Sequence, residues 1–253
     1  MCLQKTLRNS VVFIIAIFFL ALIFTASNVI RKERVNFSSA DSLQITADSY
    51  VIENENPYII LLHQQQSSRG EFTDIAPKLC KMDYNCLAVD LRNGGNDNFI
   101  SNETVKRCRE SRCQTKVADI EGDILSAINY AYEKSGQPVV LFGSGLNGSL
   151  GLKIAKENDH VRAVVALSPG EYFLPEINIQ ETIADIRKPV FVTSSLSEFP
   201  YVKEMVTGIS EEYLNTFEPQ MGEGGRGTSS LSDLNENNSE YWLALLLFFK
   251  DLV

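Results

Sequence analysis

The chain has 253 residues, of which 44% are apolar, and it carries a formal net charge of −9. The apolar fraction is enough for one full hydrophobic core. An acidic surface of this size argues against nucleic acid and anionic membrane as partners, because both repel negative charge.

The chain opens with an apolar segment at residues 11–26, VVFIIAIFFLALIFTA, which follows Lys5 and Arg8. This run is short for a membrane-spanning helix and fits the apolar region of a secretory signal peptide. The basic residues RKER at 31–34 weaken the charge asymmetry that favours cleavage, so an uncleaved anchor remains an alternative. We therefore predict a signal peptide or N-terminal membrane anchor over residues 1–30, and a protein that is exported: extracytoplasmic, or held at the membrane by this segment.

Four cysteines follow this segment: Cys80, Cys86, Cys108 and Cys113. An even number in an exported chain permits two disulfides. A bridge between Cys108 and Cys113 would close a small loop in a polar stretch. Buried free thiols are the alternative, above all for Cys86 within the strand-like segment YNCLAVD. Because the chain has no CxxC motif and two histidines, we predict neither a metal site nor a cofactor.

Apolar runs alternate with helical patterns over residues 40–253, which we predict to be one domain. The loosely alternating SLQITADSYVIEN predicts one or two edge strands, and five apolar runs predict buried strands: PYIILLH, YNCLAVD, VVLF, VRAVVALSP and PVFVTSS. Apolar residues at helical spacing predict a helix from Val117 to Ala131, and the terminal SEYWLALLLFFKDLV predicts a helix buried on most faces. This alternation is typical of a mostly parallel sheet covered by helices on both faces.

The segment VVLFGSGLNGSLGLKIA, residues 139–155, has the form of a catalytic turn. A buried strand leads through a glycine-rich hinge into a helix, an arrangement that usually holds a nucleophile at the sharpest point of the turn. In parallel sheets ligands bind beyond the carboxyl ends of the strands, where this turn should lie. The residue at the sharpest point is Gly145, which has no side chain.

Six segments in this order resemble the α/β-hydrolase family, and within it the dienelactone-hydrolase-like group. They are LLHQQQSSRGEF, YNCLAVDLRNGG, VVLFGSGLNGSLGLKIA, VVALSPGEYF, KPVFVTSSLSE and GGRGTSSL, and the resemblance covers roughly residues 50–250. It implies the α/β-hydrolase fold, an α/β architecture with a mostly parallel central sheet and helices on both faces. It also implies a site with a nucleophile, a histidine, an acid and two backbone oxyanion donors.

Matched position by position, the family's Gly-x-Ser-x-Gly turn places Gly145 at the nucleophile position. Its His-Gly-Ser-Ser loop matches residues 226–229 and places Arg226 at the histidine position, where a guanidinium cannot accept a proton. The acid position falls on Glu198. The oxyanion hole would consist of two backbone N–H groups, those of Gln64 and Leu146.

Three other residues are alternatives for catalysis: His63 as the base, and Ser144 or Ser149 as a displaced nucleophile. We expect a catalytically defective hydrolase-fold protein that binds a ligand or a partner. Arg226 then either pairs with Glu198 as a buried ion pair or offers a cation to a small carboxylate or ester. The alternatives are an active serine hydrolase of small carboxylic esters or lactones, and a partner-binding module whose cleft is vestigial.

Overall fold

A computed structural model describes residues 29–252. The predicted signal peptide or anchor lies outside these residues, apart from residues 29 and 30. The strands of the described part are β1 (Arg31–Ser38), β2 (Gln44–Val51), β3 (Tyr58–Leu62), β4 (Asn85–Val89), β5 (Asn96–Asp97), β6 (Ile100–Ser101), β7 (Val139–Ser144), β8 (Val161–Leu167), β9 (Val190–Thr193) and β10 (Leu214–Phe217). The helices are α1 (Ala76–Cys80), α2 (Glu103–Ser111), α3 (Val117–Ser135), α4 (Gly145–Glu157), α5 (Ile179–Ile183), α6 (Phe199–Met205) and α7 (Asn238–Lys250), with 3-10 helices at Arg69–Phe72 and Gly227–Leu231.

One sheet contains eight of these strands, in the order β1-β2-β4-β3-β7-β8-β9-β10, and β5 and β6 form a separate hairpin. Strand β2 runs antiparallel to β1 and β4, whereas every other neighbouring pair in the large sheet is parallel. Helices α3 and α4 cover one face of the sheet, and α1 and α7 cover the other. Each face has its own apolar cluster between the sheet and its helices. This is the two-sided, mostly parallel sheet that the sequence predicts.

The central strands end side by side at one edge of the sheet. Strands β3, β7 and β8 consist almost entirely of buried residues, as expected for strands covered on both faces. The register places Leu62 beside Gly143, and Leu167 beside both Ser144 and Thr193. The residues that follow these strands are therefore brought together at the carboxyl edge, where a ligand site is expected.

The polar stretch after β4 is more ordered than its composition suggests. It holds the β5–β6 hairpin and helix α2, whose first turn is capped by the Asn102 side chain accepting from the N–H of Val105. A disulfide joins Cys108 at the end of α2 to Cys113, as predicted, with their Cα atoms 4.9 Å apart. Cys80 and Cys86 are buried free thiols, the alternative for the remaining pair.

Two parts of the structure differ from the sequence-based expectation. The sheet begins at Arg31 with β1, ahead of the predicted domain start at residue 40, because the charged run RKERVNFS pairs along the whole of β2. The prediction that the last helix is buried on most faces is wrong: Leu243, Leu246 and Leu247 are 48–57% exposed. Helix α7 covers an outer face of the sheet, so only one side of the helix meets the core.

Within residues 29–252, no helix combines the length and the apolar character needed to cross a membrane.

Candidate functional site

The turn between β7 and α4 retains the geometry of a nucleophile turn without a nucleophile. Strand β7 ends at Ser144, and α4 begins at the next residue, Gly145, whose φ of 57° lies in the left-handed region that glycine enters freely. The strand and helix cross closely, since a Cβ added to Gly143 would lie 2.6 Å from the Cα of Gly148. At Gly145, by contrast, the nearest atom to an added Cβ is the Gln64 Cβ at 4.0 Å. Space for a side chain remains at the tip.

Glu198 and Arg226, at the predicted acid and histidine positions, form an ion pair. The Arg226 Nε lies 2.9 Å from the Glu198 Oε1, and Arg226 Nη2 also donates to the Tyr172 hydroxyl over 3.4 Å. The Tyr172 hydrogen bond and the Glu198 charge raise the pKa of Arg226 above its already high usual value, so it stays protonated. The pair is not buried as expected, because the Arg226 side chain is 64% exposed. It lies at the surface of the site.

Backbone groups of the loop before α7 reach the ends of the central strands. The N–H of Gly227 donates to the Ser168 Oγ (2.9 Å), and the N–H of Thr228 donates to the Ser144 Oγ (3.3 Å). The Ser168 hydroxyl in turn donates to Glu198 Oε2 over 2.8 Å. These bonds connect the carboxyl ends of β7 and β8 with the loop that carries Arg226, so the predicted nucleophile, acid and histidine positions lie at one edge of the sheet.

One of the two predicted oxyanion donors is already occupied. The backbone N–H of Gln64 donates to the Glu71 Oε2 over 3.0 Å, and Glu71 Oε1 accepts from the Thr228 hydroxyl over 2.6 Å. Burial raises the pKa of Glu71 to about 7, against the opposing effect of hydrogen bonds from Thr228, Ser67 and Gln64. The prediction that Gln64 offers a free oxyanion donor is therefore wrong. The N–H of Leu146 lies in the first turn of α4, where no acceptor within the helix is available to it.

Sequence reasoning missed Glu71, although one signal for it was present. It is the single acidic residue in the stretch HQQQSSRGEF that follows β3. Since a loop after a central strand reaches the carboxyl edge, an acid there is a candidate for contact with the site. Its hydrogen bond to Thr228, 157 residues further along the chain, depends on the tertiary structure.

His63 has a structural role in this arrangement and cannot act as a general base. It is fully buried, its Nδ1–H donates to the carbonyl of Gln64 (2.8 Å), and its Nε2 accepts from the N–H of Leu91 (2.9 Å). Burial lowers the pKa of His63, which holds the ring neutral. Its one acceptor nitrogen is used by the backbone, so no lone pair is available to a serine.

The two displaced nucleophiles are also engaged elsewhere. Ser149 is fully buried in α4, where its hydroxyl donates to the carbonyl of Gly170 (2.8 Å) and accepts from the N–H of the same residue (2.9 Å). Ser144 is equally buried and accepts from Thr228. Neither hydroxyl has a histidine among its hydrogen-bond partners in residues 29–252. The structure therefore does not join Ser144 or Ser149 to His63 by a hydrogen bond, and each of the three side chains has other partners.

An open cleft of about 480 Å³ lies beside the turn, next to Leu146. It is bounded by the loops after β3 and β4, by α2, by the start of α3 and by Phe173. The residues that match the acid and histidine positions do not line it. Among residues 29–252, no group of three or more His, Cys, Asp or Glu side chains is arranged to hold a metal ion.

Solved structures similar to this chain include several hydrolases. A dienelactone hydrolase of Anabaena variabilis is 13% identical, with a TM-score of 0.66 over 88% of this chain and 98% of its own. The chain has the α/β-hydrolase fold. An esterase of Pyrococcus furiosus is 16% identical (TM-score 0.63, 88% and 90% covered), and a dienelactone hydrolase-like promiscuous phosphotriesterase from metagenomic libraries is 14% identical (TM-score 0.62, 88% and 98% covered).

These similarities confirm the α/β-hydrolase fold and the dienelactone-hydrolase-like architecture that six sequence segments predicted. At 13–16% identity they establish the fold alone. Neither a family model nor a curated protein matches the chain. Within this α/β-hydrolase fold, the chemistry has to be judged from the residues of the site itself.

Proposed function

We propose that this α/β-hydrolase-fold protein is catalytically defective and acts by binding a ligand or a partner. The observation that carries the proposal is the pairing of Arg226 with Glu198 opposite a turn whose tip is Gly145. An acyl transfer needs a nucleophile at the tip and a base that can take its proton. Here Gly145 at the tip has no side chain, and the histidine position holds Arg226, a permanent cation that is ion-paired with Glu198.

The occupied oxyanion position supports the same conclusion. A developing oxyanion would have to compete with the Glu71 carboxyl for the N–H of Gln64. If Glu71 is ionised, a second negative charge at this place is repelled, and if it is protonated, the N–H is still engaged. Loss of one oxyanion donor alone lowers kcat by roughly a hundredfold to a thousandfold in a serine protease.

We also propose that the ligand belongs to the class of small carboxylates and esters, and that the protein works outside the cytoplasm, as an exported or a membrane-anchored protein. The Cys108–Cys113 disulfide supports an oxidising compartment, since disulfides persist mainly there. The apolar segment at residues 11–26 is the element we assign to export or anchoring. Resistance of the protein to alkaline extraction from membranes, together with its intact N-terminus by mass spectrometry, would favour the anchor over a cleaved signal peptide.

The catalytic proposal is tested on the purified full chain with p-nitrophenyl acetate, p-nitrophenyl butyrate and a fluorophosphonate probe. We expect no turnover above buffer and no covalent labelling. Labelling that disappears in Ser144→Ala or Ser149→Ala would overturn the proposal and restore the active serine hydrolase of small esters or lactones. Labelling unchanged in both variants would point to another nucleophile and would overturn it equally.

A further inference from the structure

The cleft beside Leu146, here called the α2–α3 cleft, is separate from the remnants of the triad. Its lining comes from the loops after β3 and β4 and from helices α2 and α3, together with Leu146 and Phe173. Glu198, Arg226 and Thr228 are not part of it. Its volume of about 480 Å³ is in the range of sites for small molecules. A ligand here would not depend on the lost catalytic positions.

The charge of the cleft is opposite to that of the protein. The chain has a net charge of −9, yet both charged residues that line the cleft in the described part are arginines, Arg92 and Arg109. Arg92 is fully buried and is neutralised by Asp41 and Asp123 at 2.7 and 2.6 Å. Arg109 is exposed at the end of α2 and has no side-chain hydrogen bond or ion pair within residues 29–252. Its guanidinium is therefore available to an anion.

One wall of the cleft is apolar and fixed in place by the core. Ile120 and Phe173 are buried members of the core cluster, and Leu146 and Val117 pack against that cluster. Val105 is also buried. A hydrocarbon chain laid along this wall would be removed from water, which stabilises binding by roughly 0.8 kcal/mol per methylene. The cation and the apolar wall together match a molecule with one anionic end and one apolar end.

The cleft is also held in shape before any ligand binds. The Cys108–Cys113 disulfide fixes the end of α2 that carries Arg109, and Cys108 itself lines the cleft. On the opposite side, Asn93 donates to the Asn147 side chain over 2.9 Å, which ties the loop after β4 to α4. A pre-formed site loses less conformational entropy on binding than one that must be ordered.

We propose that the α2–α3 cleft binds an amphipathic monocarboxylate, with its carboxylate on Arg109 and its short aliphatic chain along Val105, Val117 and Phe173. A carboxylate is preferred because its two oxygens match the paired N–H groups of a guanidinium. The inference rests on the proposed binding function and specifies both the ligand class and the place where it binds.

The test is isothermal titration calorimetry of hexanoate binding to the purified full chain. Hexanol, acetate and sulfate serve as comparison ligands. We expect saturable binding of hexanoate and binding at least about tenfold weaker for the other three, since each of them lacks one of the two contacts. Arg109→Gln should weaken hexanoate binding about tenfold or more. Arg112→Gln is the matched control, because Arg112 is exposed and close in sequence but does not line the cleft; it should leave the Kd within about twofold.

Val117→Asp provides a second variant. Val117 is the first residue of α3, where an aspartate is favourable for the helix dipole, although the substitution removes an apolar contact with the core cluster. A carboxylate there repels the ligand, so we expect at least about tenfold weaker hexanoate binding with cooperative thermal unfolding retained. Equal binding of hexanol would show an apolar groove only, and equal effects of Arg109→Gln and Arg112→Gln would show non-specific attraction. Either result, or no hexanoate binding, overturns the inference.

Esterase assays on the same preparations separate the two proposals. Turnover of p-nitrophenyl butyrate would overturn the catalytic proposal without affecting the hexanoate result. Absence of hexanoate binding in an inactive protein would overturn the cleft assignment alone.

Discussion

The backbone N–H of Gln64 donates to the carboxyl group of Glu71, 3.0 Å away, at the place where an active hydrolase of this fold would hold an oxyanion. The same carboxyl accepts from Thr228, in the loop that carries Arg226. A carboxyl group of the chain itself therefore satisfies this donor and links the loop after β3 to the loop before α7.

The protonation of Glu71 should make stability depend on pH. Its pKa is raised from 4.5 to about 7 in the folded state, so the folded protein binds more protons than the unfolded chain between these values. Protonation of Glu71 therefore contributes up to about 3 kcal/mol to the free energy of unfolding. This contribution is complete below about pH 4.5 and is lost as the pH rises through 7. Urea unfolding at pH 5, 6, 7 and 8 should show this decline, and Glu71→Gln should remove it. Glu53→Gln, at an exposed position, serves as the control; an equal loss of slope there would contradict the assignment.

Substitutions at two glycines of the turn should have very different costs. Gly145→Ser places a non-glycine residue in the left-handed conformation, at φ 57°, but its Cβ meets no close atom. We therefore expect only the backbone cost, a loss of about 1–2 kcal/mol in the free energy of unfolding. Gly143→Ala places a Cβ 2.6 Å from the Cα of Gly148 and should cost about 3 kcal/mol or more, because backbone must move. Denaturant unfolding of the two variants measures both. Equal costs would show that the tip lacks the space assigned to it.

Two arginines should differ strongly in their effect on stability. The Arg226–Glu198 pair is half exposed, so Arg226→Gln should cost less than about 1 kcal/mol. Arg92 is fully buried beside Asp41 and Asp123, and Arg92→Gln leaves the buried Asp123 carboxylate without its cation at a cost of about 3–5 kcal/mol. Thermal and urea unfolding of both variants would test this. A large loss for Arg226→Gln would mean that the pair is part of the structural core.

The Cys108–Cys113 disulfide should make a modest contribution to stability. The bridge closes a short loop, with a sequence separation of 5, and chain entropy predicts a contribution of about 2 kcal/mol. We expect Cys108→Ser/Cys113→Ser to lower the free energy of unfolding by that amount and dithiothreitol to have the same effect on the native protein. Because Cys80 and Cys86 are buried free thiols, Cys86→Ala should leave the effect of dithiothreitol unchanged. A reductant effect that required Cys86 would contradict this disulfide assignment.

The sequence by itself determined the architecture and the central substitution. Fully apolar runs such as YIILL identify strands covered on both faces, because a strand covered on both faces buries successive side chains regardless of which way they point. Gly145 and Arg226 could be assigned by position, since the turn and the loop before the last helix are local motifs in a fixed order. The charged β1 was missed because its pattern is that of a solvent-exposed edge strand, in which propensity carries little information.

Only the tertiary structure decided which side chains are free to react. Ser149 and His63 are plausible catalysts in the sequence, but Gly170, Gln64 and Leu91 use their hydrogen-bonding groups. The contact of Glu71 with Thr228 joins residues 157 positions apart, and the α2–α3 cleft combines six separate segments of the chain. Residue type and local spacing determine what a side chain is able to do, whereas its partners are determined by long-range packing, which a local pattern does not encode.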